Sequence, residues 1–293
     1  MKRIVQMLIL LGLLSWLPCA LGEQAQKPSH EDLIKAGQSY TKVVEVVGKK
    51  LLFFAQNSPE WAHLWATDDV RARRTFGDSG CAVAAFANAS VNSLPMRRLR
   101  EISNLARSPI AVDNVSLSRY YGLYKGRFLI ENDSDYLRYW PLVLGNLSAQ
   151  NNTFGVRENR NMKFYDPILK AFGVSYSVTS DPPTALEALG KGALIVTCST
   201  GKGSPYAENG HYFVLAGVDD SHFYILDSFI RDKLPRDTNR RVEILEPGVQ
   251  RVKIEHFNKV VVGPMYIIWP LEDAEQYTQE RLETIVARSN RHE

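Results

Sequence analysis

The stretch Asn209-Gly210-His211-Tyr212-Phe213-Val214-Leu215-Ala216-Gly217-Val218-Asp219-Asp220-Ser221-His222-Phe223-Tyr224-Ile225-Leu226-Asp227 decides the reading of this 293-residue chain. Asn209-Gly210 is a turn signal. The apolar runs His211 to Val218 and His222 to Phe229 flank Asp219-Asp220-Ser221, the pattern of a β-hairpin. Side chains alternate faces along a strand. With a three-residue loop Val218 pairs with His222, so His211 lies opposite Phe229 and Asp227 opposite Phe213. His211 and Asp227 then share a face as diagonal neighbours, about 7–8 Å apart at the backbone. An acid beside Ile225 and Leu226 needs a partner once buried, and His211 is the one at hand. A loop of two or four residues would put the two on opposite faces.

Such a histidine–aspartate pair suits a nucleophile, and Cys81 is the candidate. It stands in Asp78-Ser79-Gly80-Cys81-Ala82-Val83-Ala84-Ala85-Phe86-Ala87, which reads as a buried helix with Asp78 or Ser79 as cap. A thiol in the first turn feels the positive end of the helix dipole, which favours thiolate. Gly80 allows a substrate backbone to approach, and the Cys81 peptide N–H is an oxyanion-hole donor. The other histidines stand near the ends of the mature chain (His30, His292) or in polar and turn contexts (His63, His222, His256). The chain order Cys81, His211, Asp227 gives nucleophile, general base and orienting carboxylate. Small buried cysteines on alanine-rich helices are also common without any chemistry.

The surrounding chain reads as α+β. Leu33, Ala36, Tyr40, Val43, Val44 and Val47 recur at helical spacing after a Ser29/Asp32 capping box and before Gly48, which predicts an N-terminal helical extension over 23–50. Leu51 to Ala55, Val174 to Val178, Ala193 to Cys198 and part of Val260 to Trp269 read as strands. Asp166 to Gly173, Thr184 to Leu189 behind Asp181-Pro182, and Glu272 to Arg288 read as helices. Residues 91–160 are polar and aromatic, an insertion by their look. The basic runs Arg71, Arg73, Arg74 and Arg97, Arg98, Arg100 read as solvated surface. No linker divides the chain, so 51–270 is taken as one domain followed by a C-terminal helix over 271–293.

Met1-Lys2-Arg3, the apolar run Ile4 to Leu17 and small residues at Ala20 and Gly22 predict a signal peptide over 1–22, hence a secreted or periplasmic protein with no integral membrane segment once cleaved. The net charge of +3 gives no basic footprint for nucleic acid. Loss of Cys19 with the signal leaves Cys81 and Cys198, which in an oxidising compartment could also pair as a disulfide. Cys81, Cys198 and His211 lack paired metal-ligand spacing, so neither metal nor cofactor is expected. The sequons at Asn88, Asn114, Asn132, Asn146 and Asn151 would mark surface in a eukaryotic secreted protein.

These pieces resemble, in order, the papain-like cysteine peptidases of family thirty-nine, the bacteriocin leader (double-glycine) peptidases, in their free-standing branch. Phe54-Ala55-Gln56-Asn57-Ser58-Pro59-Glu60-Trp61-Ala62 resembles that branch's Gln–Asp–Pro–x–Trp–Ala segment, and Ser79-Gly80-Cys81 its nucleophile. Asp181 to Val196 resembles its helix–Gly-Lys-x–strand unit. Gly210 to Gly217 resembles its Gly-His-Tyr-x-Val-x-x-Gly strand, and Tyr224 to Ser228 the strand ending in Asp-Pro. The resemblance covers roughly 52–232. It implies a papain-like fold with a nucleophile helix packed on an antiparallel sheet, a peptide or protein substrate, catalysis by Cys81, His211 and Asp227, and Gln56 in the oxyanion hole. The sequence departs from the family at Ala82, where glycine is usual, at Val83-Ala84, and at Ser228 in place of proline; Thr75 holds the position six before the cysteine, where papain-like sites often carry glutamine. Two alternatives remain open: a catalytically degenerate papain-like binding module, and a phytochelatin-synthase-like glutathione acyl transferase, whose Tyr-Cys-Gly and Gly-His-x-Ser-Pro are absent.

Overall fold

A computed structural model describes residues 40–62, 75–107, 137, 140–141, 143–145, 174–281 and 283–284. The expected signal segment over 1–22, Arg71 to Arg74, most of 91–160 and the helix expected over 166–173 lie outside them.

The first described element corrects the sequence reading. Residues 41–46 form a strand, β1 (Thr41–Val46), not the end of a helix, and pair antiparallel with β2 (Lys49–Phe54). Val43, Val44 and Val47 fit helical spacing, but the segment is rich in β-branched residues that favour strands. Val46 pairs with Lys49, so Val47-Gly48 is a two-residue turn, with φ of 48° and 73°. Positive φ at both positions matches the strand twist of a tight hairpin. Gly48 therefore turns a hairpin; it does not end a helix.

Two helices follow: α1 (Phe76–Ser79) and α2 (Cys81–Val91). Every residue of α2 after Cys81 is buried, and its alanines let neighbouring backbone come close. Two buried asparagines one turn apart, Asn88 on α2 and Asn92 at its C-cap, serve β2. Asn88 Oδ1 accepts from Phe54 N at 2.7 Å and its Nδ2 donates to Phe54 O at 3.0 Å. Asn92 does the same for Leu52, at 2.8 Å each way. The side-chain amides replace a neighbouring strand along the β2 edge, satisfying backbone groups that would otherwise be buried without partners. Asn88 is fully buried, so its sequon does not mark surface. Helix α3 (Met96–Arg107) lies in the region that the sequence left unassigned.

The remaining elements are β3 (Tyr176–Thr179), α4 (Pro182–Gly190), β4 (Leu194–Ser199), β5 (His211–Val218), β6 (His222–Leu226), β7 (Val242–Glu246), β8 (Val249–Lys253), α5 (Phe257–Val260) and β9 (Met265–Ile268). Asp181 caps α4 as expected, its carboxylate accepting from Thr184 N. The strands form a seven-stranded sheet in the order β3-β9-β4-β5-β6-β8-β7, with every pairing antiparallel. Its central strands read as continuous apolar runs because both faces are covered. Leu194, Val196, Val214 and Ala216 pack with α2 and the β1–β2 hairpin. Ile195, Phe213, Leu215 and Ile225 pack with α4 and α5 on the other side. At the chain's end helix begins only at Gln279, so residues 272–278 are not helical as expected. The observed class is α+β, with the thiol-bearing helix against the strand that His211 opens.

Candidate functional site

Cys81 is the first residue of α2. Its helix is not capped by Asp78 or Ser79 as the sequence suggested. Those residues belong to α1, which Thr75 caps through a reciprocal capping box with Asp78. The cap of α2 is Gly80, with no side-chain hydrogen bond. The first-turn N–H groups are thus left for another acceptor, and the Ala82 N–H turns to the Cys81 sulfur. Gly80 is also explained differently from the sequence reading. A Cβ there would meet Phe76 O at 2.6 Å and the Phe76 ring at 2.7 Å. Its missing side chain admits Phe76, not substrate.

His211 opens β5, where Ser199 is its partner on β4. Its Nε2 lies 2.6 Å from Asp227 Oδ1. The route to this contact differs from the expected one. Val218 pairs with Phe223 and Gly217 with Tyr224, so the loop has four residues, the case that should have separated the two side chains. A bulge between Leu215 and Gly217 takes up one residue and returns Leu215 to Ile225 and Val214 to Leu226, the register of the three-residue loop. Gly217 sits at this bulge because the hairpin tip presses on it, Val47 Cγ2 lying 3.0 Å from where a Cβ would be.

Asp227 is fully buried and is met by four groups. Besides His211, the Phe229 N–H donates to Oδ1 at 2.9 Å, Gln250 Nε2 donates to Oδ2 at 2.9 Å, and Arg231 Nε lies 3.2 Å from Oδ2. Burial pushes its carboxyl up, but the His211 charge and hydrogen bond, with Arg231 and Phe229, hold it below its ordinary value. For His211, burial opposes the charged form, and the Asp227 charge and hydrogen bond with those of Cys81 overcome it, raising the imidazole to about 9. For Cys81, burial raises the thiol, and the hydrogen bond and charge of His211 with the N–H groups of Tyr212 and Ala82 bring it below its usual value. Asp227 Oδ1 and, at 3.4 Å, Arg231 Nη2 both lie at Nε2. Cys81 and His211 each favour the charged form of the other.

Cys81, His211 and Asp227 are therefore brought together. Gln56 lies near the same place: its N–H donates to Ser228 O, and its Nε2 donates to Gly77 O at 2.6 Å, four residues before Cys81. Its side chain is buried and Oε1 has no hydrogen-bond partner. Both Cys81 and Cys198 are free thiols. Cys198 is buried and raised to about 11, by burial first and then by the Cys81 charge, so it is the inert one of the two.

Sequence reasoning missed Tyr206, Arg231 and Gln250. The Tyr206 ring lies against His211 at 5.1 Å between centroids, and its hydroxyl donates to Gln250 Oε1 at 2.6 Å. The Arg231 guanidinium sits 4.6 Å over Phe229 and 5.6 Å over Tyr206. Among the described residues no group of three His, Cys, Asp or Glu is placed to hold a metal, and no helix is long and apolar enough to cross a membrane.

No known family model and no curated protein sequence matches the chain.

Proposed function

We propose that the protein is a thiol hydrolase of papain-like fold, a secreted or periplasmic cysteine peptidase acting on a peptide or amide bond. The observation that carries the reading is the buried His211–Asp227 contact at 2.6 Å on a histidine hydrogen-bonded to a helix-opening cysteine. A buried ion pair of this kind is a costly way to gain stability, whereas it suits a nucleophile and base tuned for neutral pH.

In this reading the Cys81 thiolate attacks the substrate carbonyl carbon. The carbonyl electron pair moves to oxygen, where the Cys81 N–H and the second proton of Gln56 Nε2 are the donors. Collapse breaks the C–N bond, and His211 Nδ1 gives its proton to the departing amine, leaving a thioester on Cys81. Neutral His211 then takes a proton from water as that water attacks the thioester, and release of the acid restores the thiolate–imidazolium pair. Asp227 keeps its charge throughout and orients the ring.

The test is mass spectrometry of the protein after an electrophilic cysteine probe, wild type against Cys81→Ala, followed by digestion of a peptide library. Labelling confined to Cys81 with cleavage lost in Cys81→Ala supports the reading. Labelling without cleavage of any peptide would favour a binding module, and consumption of glutathione would favour an acyl transferase.

A further inference from the structure

Gln250 lies on β8 opposite Ile225 of β6 and is buried. A buried primary amide has an acceptor end and a donor end, and both must be matched. Here the Tyr206 hydroxyl supplies the donor, at 2.6 Å from Oε1, and Asp227 Oδ2 supplies the acceptor, at 2.9 Å from Nε2. Asp227 fixes the order: a carboxylate only accepts, so the NH2 end must face it, and Oε1 is left to accept from the Tyr206 hydroxyl. Tyr206 stays a donor because burial, then the Asp227 charge, pushes its phenol well above the usual range. The same residue covers the imidazole, with its ring 5.1 Å from His211 and 5.1 Å from Phe213. Ser204 Oγ accepts from the Tyr206 N–H at 3.2 Å and holds its backbone.

We propose that Tyr206 and Gln250 form a serial positioning relay for the catalytic pair: the Tyr206 hydroxyl holds the Gln250 amide in place, and the amide pins Asp227 Oδ2 so that Oδ1 stays on His211 Nε2. The role rests on the thiol-hydrolase reading of Cys81. No proton moves along the relay. It works by keeping Asp227 from rotating about its Cβ–Cγ bond, which would break the His211 contact. The Phe229 N–H and Arg231 also hold the carboxylate, so loss of the relay loosens the pair without abolishing it. A hydrogen bond to a charged group is worth about 1.5 kcal/mol or more, which corresponds to roughly a tenfold change in how often the pair opens.

The experiment is solvent exchange of the His211 Nε2 proton, followed by NMR in the full chain labelled with 15N-histidine, in wild type, Tyr206→Phe, Gln250→Met and the double variant. Cys81 alkylation is measured on the same samples. Tyr206→Phe keeps the ring on His211 and deletes only the hydroxyl, so it carries the test even where Gln250→Met does not fold. The relay predicts about tenfold faster exchange in each single variant and no further gain in the double, because the two act through one contact. Exchange unchanged in Tyr206→Phe, or effects that multiply in the double variant, would overturn it. Faster exchange in the variants beside an unreactive wild-type Cys81 would keep the relay and remove the hydrolase reading; the reverse pattern would do the opposite.

Discussion

Asp227 Oδ1 meets His211 Nε2 at 2.6 Å because residue 216 is a bulge. The four-residue loop between Val218 and Phe223 alone would turn the two side chains to opposite faces. The bulge adds the compensating residue. Deleting Ala216 while keeping the loop removes the unpaired residue and leaves Leu215 opposite Ile225 and Val214 opposite Leu226, so His211 stays on the face of Asp227. The expected result is a retained downfield Nε2 proton in the NMR spectrum and unchanged Cys81 alkylation; loss of both would contradict the bulge as the residue that sets the register.

Asp227→Asn removes the anion and keeps the shape. His211 then falls from about 9 toward or below its ordinary 6.5, because burial now acts unopposed by that charge. A group raised in the folded state stabilises the fold below its unfolded pKa and loses that contribution as pH rises through the folded value. The stability difference between wild type and Asp227→Asn is thus full below about pH 6.5 and shrinks as pH rises through about 9. Thermal melts across pH 5 to 10 measure it. A difference that grows with pH would contradict the charge assignment.

Asn88→Ala leaves the Phe54 N–H and C=O buried without partners. Each orphaned group costs about 1–3 kcal/mol. The variant should lose at least about 2 kcal/mol in urea denaturation.

Gly80→Ala drives a methyl group into Phe76 O and its ring, 2.6 and 2.7 Å away. Overpacking of this kind costs about 1–3 kcal/mol. Because Gly80 fits Phe76 and not the substrate, the loss shows in the melting temperature of the unliganded protein. A variant of unchanged stability that had lost only substrate binding would restore the substrate-approach reading.

Cys81, His211 and Asp227 were legible because each carries a local signal: a small-residue helix start, a strand opening after Asn209-Gly210, and an acid inside an apolar run. The hairpin bulge was not legible, since nothing in Leu215-Ala216-Gly217 distinguishes a bulge from continuous strand until Val47 is seen against Gly217. Valines 43, 44 and 47 satisfied helical spacing and strand preference at once, and the Val47-Gly48 turn decided for the strand. Tyr206, Arg231 and Gln250 come from separate segments and carry no pattern of their own; only the fold converges them on Asp227. The β7–β8 hairpin, which carries Gln250, has two five-residue strands with charged residues on both and stood out little from its charged surroundings.

His211 holds the Cys81 thiol below its ordinary range in the folded protein. The Cys81 iodoacetamide alkylation rate at pH 6 and pH 8, with Cys198 as the internal comparison, tests this most directly. The expected result is a Cys81 rate that falls clearly less from pH 8 to pH 6 than that of an ordinary thiol, as a lowered thiol pKa requires, while Cys198, raised to about 11, reacts only after unfolding. A Cys81 rate about 75-fold lower at pH 6 than at pH 8, the behaviour of a free thiol with a pKa near 8.5, would contradict it.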